Sequence, residues 1–229
     1  MTEIPESALF GALAPLPRGP HRLSAEVVAA SQRSRLLAAI TALVAERGYA
    51  GTTITDLARR AGVSPNVFYE HFSDKEECYL AAYDVFVELL VRAITEAAGP
   101  PEEPWESFVG EAVGAYLGVM EDERTAARAF VLEVEGAGPI PRRHLRRALH
   151  GFALLVRERH FRLRAEESTL GPLPDRAYLG LVHGIRALVG EALQDDTRMA
   201  DLLPDVQLWV TATLQGAASA AHLREAELS

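Results

Sequence analysis

Apolar residues recur at three- and four-residue spacing along almost the whole chain, and nowhere do they keep the alternation of a half-buried strand. That period confines the chain to helices. From Ala25 to Arg47, Leu36, Leu37, Ile40, Leu43 and Val44 form one stripe, which Gly48 closes as a left-handed cap. Thr53 with Asp56 approximates a capping box for a short helix through Ala61, and Gly62 breaks it. Ser64 as N-cap and Pro65 at the first helical position open a second short helix through His71. Ser73 with Glu76 then starts a long helix from Asp74 to about Ala98. Past the break at Gly99, Pro100, Pro101 and Pro104, helices are expected at Trp105–Glu121, Arg124–Glu135, Pro141–Arg164, Asp175–Gln194 and Pro204–Leu223. No repeat of fixed period occurs. The expected fold is all-α.

Length and composition exclude several functions. A chain of 229 residues with 48% hydrophobic and 24% charged side chains is globular and can bury a sizeable core. The lone cysteine, Cys78, excludes an intramolecular disulfide and a Cys-based zinc site. Its neighbours Glu76 and Glu77 are expected to raise its pKa, against a role as nucleophile. No run reaches the ~18 consecutive apolar residues of a membrane span. Acids rather than basic residues open the chain, so no secretory signal is expected and the cytoplasm is the expected location. No H-E-x-x-H, G-x-S-x-G, phosphate-loop or dinucleotide fingerprint occurs, and neither catalysis, a metal nor a cofactor is expected.

The net charge of −9 is unevenly spread: −1 over residues 1–20, zero over 21–80 and −8 over 81–229. An anion-binding N-terminal region therefore remains open. Within it, Thr53–Phe72 reads TITDLARRAGVSPNVFYEHF, two short helices joined by the tight turn Ala61-Gly62-Val63. Gly62 permits the turn and Ala58 lets the helices approach, the layout of a helix-turn-helix. Leu57, Val63, Val67 and Phe68 supply an apolar seam. The second helix would present its N-terminal residues to a major groove.

Gly48-Tyr49, Thr52-Thr53-Ile54, Ala58 to Ser64, Phe68-Tyr69, His71-Phe72 and Lys75 occur in that order over Arg35–Asp84. This stretch resembles the DNA-binding domain of the TetR family of bacterial transcriptional regulators. The resemblance implies a leader at 1–24, a helix-turn-helix domain at 25–74 and a helical ligand-binding and dimerisation domain at 75–229. It implies double-stranded operator DNA as partner and a homodimer that acts as a repressor, released from a palindromic operator by a small apolar or weakly polar effector, with no membrane involved. Thr53, Tyr69 and Lys75 would contact phosphate, with Ser64 capping the reading helix and Arg60 nearby. Asn66 and Val67 would face base edges, Asn suiting adenine and Val a thymine methyl. His71 reads as a helix-end residue. Arg33, Arg35 and Arg60 are weaker phosphate candidates. Arg18, His21 and Arg22 fit either a basic arm over the minor groove or an ordinary tail.

In the second domain, Phe86, Leu90, Trp105, Phe108 and Tyr116, with Met120, Phe130, Phe152 and Leu155, are candidates for an apolar effector pocket or for plain core. Tyr116, His183 and Arg186 are its candidate polar groups. Small faces on the last two helices put Gly184, Leu188, Trp209, Thr213 and Ala217 at an expected dimer interface. The cluster Arg142, Arg143, His144, Arg146 and Arg147 suits an anionic partner or a solvated helix face. Two other functions stand beside the regulator: an enzyme without a known fingerprint, and a helical ligand-binding protein whose helix-turn-helix is idle.

Overall fold

The computed structural model describes Leu9 and residues 24–97, 105–166 and 170–227, with backbone alone at 105, 106, 166 and 216–227. The expected leader, with Arg18, His21 and Arg22, lies outside the described residues except for Leu9 and Ser24. Among the described residues every regular element is helical. In chain order they are α1 (Ala25–Arg47), α2 (Ile54–Ala61), α3 (Pro65–His71), α4 (Lys75–Ala97), α5 (Trp105–Asp122), α6 (Arg124–Ala127), α7 (Pro139–Glu166), α8 (Asp175–Gln194) and α9 (Leu203–Glu227).

Helix starts follow local chemistry. The Ser24, Thr53 and Ser64 side chains each accept a hydrogen bond from the backbone N–H three residues on, which satisfies a donor the helix cannot. Pro65 occupies the first turn of α3, where its missing N–H costs nothing.

The expected helix Arg124–Glu135 is not continuous. After one turn of α6 the backbone widens into a π-helical segment, Arg128–Leu132. The Tyr79 hydroxyl donates to the Ala129 carbonyl at 2.8 Å, taking an acceptor that an α-helical ladder would use. Gly136 and Gly138 then carry the chain into α7, which begins two residues before its expected start. A short 3₁₀ turn, Met199–Leu202, precedes α9.

The chain packs as two compact units. The first holds residues up to Leu89 together with Asp122–Leu145, and the second holds Leu90–Glu121 and Arg146 onward. By packing, then, most of α4 belongs with the helix-turn-helix rather than beyond a boundary at 74/75.

The first core is built on Leu36, Ile40, Leu57, Phe68, Tyr79 and Phe130, all at most 1% exposed. Each such aliphatic or Phe side chain contributes about 1.5–3 kcal/mol by leaving water. α1 is long and apolar enough to cross a membrane by length and composition. However, Leu36–Val44 carries its buried face, with only Thr41 polar among the buried residues, so α1 is a core helix. The second core holds Met120, Val189, Leu193, Met199 and Val206. It also encloses one polar pair. The Tyr178 hydroxyl meets His160 Nδ1 at 2.7 Å, and His160 is 2% exposed.

Candidate nucleic-acid interface

The geometry of the helix-turn-helix is set by its turns. α1 ends at Gly48, whose φ of +76° lies where side chains are disfavoured. Thr52, buried in the following turn, donates its hydroxyl to the Gly48 carbonyl at 3.0 Å. Thr53 caps α2 by accepting from Asp56 N–H at 3.1 Å and donating its hydroxyl to Asp56 Oδ2 at 2.7 Å. The carboxylate therefore takes the hydroxyl proton rather than the Thr53 backbone N–H of a regular capping box. That hydroxyl first, then the charges of Arg59 and Arg47, hold the Asp56 carboxyl below its ordinary pKa.

At the other end of α2, Gly62 sits at φ +64°. Its N–H bonds Arg59 O at 3.2 Å while Val63 N–H bonds Ala58 O at 2.9 Å, the paired bonds of a Schellman cap. Arg35 reaches over from α1 and donates to Ala61 O at 2.8 Å. One arginine thus ties α1 to the turn between α2 and α3.

α3 buries Phe68 completely and exposes the opposite side. Asn66 is exposed, Val67 half-buried, and Tyr69 58% exposed, unusual for so large a ring. Glu70 shares the exposed side with Asn66 one turn earlier, and sequence reasoning passed over it. The i, i+4 spacing from Asn66 was the available signal. His71 shares a hydrogen bond with Gln32 Oε1 at 3.2 Å at the helix end.

The expected cations are less free than the sequence suggests. Lys75 Nζ donates to Tyr49 O at 2.8 Å and to Thr52 O at 2.9 Å, and lies 4.1 Å from the centroid of the Tyr49 ring. Burial lowers its pKa. Its side chain braces the turn before α2, so a phosphate would compete with two carbonyls for it. Arg60 pairs with Glu46 at 2.8 Å, and Arg33 lies over the Phe72 ring at 5.3 Å. The turn has a further partner that no local pattern announces: Tyr49 N–H donates to Glu133 Oε2 at 3.0 Å across 84 residues.

The expected pocket residues do not gather in one unit. Phe86 and Phe130 lie in the first, their ring centroids 5.4 Å apart, and Phe130 also packs on Tyr79 and Tyr83. Leu90, Phe108, Tyr116, Met120 and Phe152 belong to the second, as does Trp105, whose side chain is not described. There Arg159 lies 4.9 Å from the centroid of the Phe108 ring. Leu155 is 39% exposed and lines no interior. Of the expected polar groups His183 is exposed, and the buried pair is His160 with Tyr178. Gly184 faces Trp209 of its own chain, Leu188 and Thr213 are half-buried, and Ala217 lies outside the described side chains. Cys78 is fully buried, and its raised pKa comes first from burial, with Glu77 a lesser cause. The acidic neighbours were the smaller part of that argument.

Comparison with known proteins agrees with this geometry. Residues 36–82 match the family described as bacterial regulatory proteins, tetR family. Over 81 residues the chain is 37% identical to the HTH-type transcriptional activator FasR of Mycolicibacterium smegmatis; the match takes in 35% of this chain and 37% of that protein's length. The fold resembles that of the fatty acid degradation regulator FadR from Bacillus halodurans, with TM-score 0.68 and 18% identity over 80% of this chain and 94% of that one. It also resembles the transcriptional regulator FadR from Bacillus subtilis, solved in complex with stearoyl-CoA, with TM-score 0.66 and 17% identity over 80% and 97%. A transcriptional regulator from Rhodococcus gives TM-score 0.62 and 22% identity over 80% and 96%. By sequence, then, it is the stretch around the capped helix pair, residues 36–82, that is similar to the tetR family of bacterial regulatory proteins.

Proposed function

We propose that this chain is a DNA-binding transcriptional regulator that lays α3 in the major groove of an operator. The observation that carries this reading is the two-sided character of α3. Phe68 anchors one side in the core, while Asn66 and the 58%-exposed Tyr69 stand out on the other with Val67 at the edge. Asn66 and Val67 face base edges, Tyr69 a phosphate, and Thr53 at the head of α2 a second phosphate. Ser64 acts through its cap on α3. Arg60 contributes only where phosphate outcompetes Glu46, and Lys75 only where it outcompetes the carbonyls of Tyr49 and Thr52.

The regulator acts as a homodimer through α8 and α9, matching a palindromic operator. Leu208 and Trp209, 69% and 38% exposed on α9, leave an apolar face for a second copy. The second unit takes a small apolar effector. The stearoyl-CoA bound by a protein of the same fold supports a ligand with a long acyl chain. Release of DNA by that effector makes the chain a repressor. The alternative, an activator, is favoured by the name of the FasR relative, and the position of the operator relative to the promoter separates the two.

The test is selection from a random duplex pool, followed by binding of variants to the enriched sequence. Tyr69→Ala should weaken binding to every duplex, whereas Asn66→Ala should change the preferred base at one position per half-site by about 1–3 kcal/mol. A parent that enriches no sequence refutes the reading. Titrating stearoyl-CoA and stearate into the complex tests the effector.

A further inference from the structure

The six-residue turn Gly48–Thr53 aims the helix-turn-helix, because it ends in the residue that caps α2. Its acceptors are held from α4, where Lys75 Nζ takes the carbonyls of Tyr49 and Thr52. Its donor is held from elsewhere: Tyr49 N–H points at Glu133, the residue just past the π-helical segment. The approach is close. A Cβ built on Gly48 would lie 2.9 Å from Glu133 Oε2, so Gly48 provides room for the carboxylate as well as its positive φ. The π segment is itself fastened to α4 through Tyr79 and the Ala129 carbonyl, and the Tyr79 and Tyr49 rings stand 5.0 Å apart. The turn is therefore gripped on opposite polarities by two elements of the same unit.

We propose that Glu133 is a positioning residue for DNA docking: by accepting from Tyr49 N–H it fixes the α1–α2 turn and so sets the angle at which α2 and α3 are presented. This rests on the DNA-binding reading above. A carboxylate accepting from a half-buried backbone donor is a charge-assisted bond, and its removal leaves that donor without a partner. Nothing else in the turn replaces it, since the Lys75 bonds and the Thr52 hydroxyl bond both engage carbonyls. Loss of the bond frees the turn to rotate about Gly48 while the Phe68 and Leu57 anchors stay in place.

The experiment compares the parent, Glu133→Gln and Glu133→Ala on the duplex enriched by the parent, and follows amide exchange at Tyr49 and at Ile40 in the core of α1. Glu133→Ala should lose about 10-fold in affinity, the scale of one charge-assisted hydrogen bond. Its Tyr49 amide should exchange faster while Ile40 is unchanged. Glu133→Gln keeps an acceptor and should stay within about 3-fold of the parent. Parent-like affinity in Glu133→Ala overturns the proposal. Equal acceleration at Tyr49 and Ile40 also overturns it, since that marks a general loss of stability. A parent that binds no duplex overturns the DNA reading itself, and this proposal with it.

Discussion

Trp209 of α9 lies over Gly184 of α8 so closely that a Cβ at 184 would fall 2.5 Å from the end of the indole ring. The glycine expected at an interface between copies is thus filled within its own chain. Gly184→Ala should push the ring away from α8, toward the side it leaves 38% exposed in the single chain. Overpacking costs about 1–3 kcal/mol, offset in part by the ~1 kcal/mol that Ala gains over Gly in a helix. A shifted tryptophan emission with a modest fall in unfolding midpoint is the expected result; an unchanged spectrum would show that α8 moves instead.

Dimerisation is better probed at Leu208, which is 69% exposed in the single chain. Leu208→Asp should yield monomers by light scattering while leaving the circular dichroism of the fold intact. An unpaired charge buried between copies costs about 3–5 kcal/mol, a shift in dissociation constant of two orders of magnitude or more. A parent that is monomeric at micromolar concentration removes the premise.

Binding to DNA should depend weakly on salt for a regulator. Arg59 and Arg60 are paired with Asp56 and Glu46, and Lys75 is held by two carbonyls. With about four phosphates neutralised per dimer, the slope of log K against log salt should be near −4. Glu46→Gln releases Arg60 and should steepen that slope by about one per half-site. An unaltered slope would place Arg60 away from the phosphates.

The second unit should weaken in mild acid. Burial first, then the charge of Arg164, lowers the pKa of His160 below its ordinary 6.5. The Leu214 carbonyl favours the charged ring, though it falls outside hydrogen-bond geometry. Below pH 6.5 the unfolded chain takes up this proton before the folded one does, so stability falls as pH drops toward the folded value. The loss is complete once pH passes that value. Urea midpoints at pH 7.5 and 5.5 should differ more in the parent than in His160→Gln; equal differences would assign the pH dependence elsewhere.

The head of the molecule was legible because its signals are local. Thr53, Gly62, Ser64 and Pro65 act within three residues of themselves, and the structure places α2 and α3 between them. Arg35, Lys75 and Glu133 were not legible in the same way. Each has a partner 23 or more residues away, and nothing in the spacing marks an arginine that caps a turn. The π segment was hidden for a related reason, since Arg128–Leu132 has ordinary helical periodicity and the Tyr79 hydroxyl that takes one of its carbonyls lies 50 residues away. Among the candidate pocket residues, aromatic spacing could not separate packing from ligand contact. Phe130 meets three other rings and reads as core once its neighbours are known.

The widened turn at Arg128–Leu132 also makes the length of that segment a determinant of where the next residues point. A π turn accommodates more residues than an α turn, so deleting one residue there would restore regular winding. Every later side chain on the segment would then swing by about 100° around its axis. Glu133 would leave the Gly48–Tyr49 turn while the composition of the helix stayed nearly the same. The chain would keep its helices and its hydrophobic pattern, yet lose the phase between one helix and the turn it steadies.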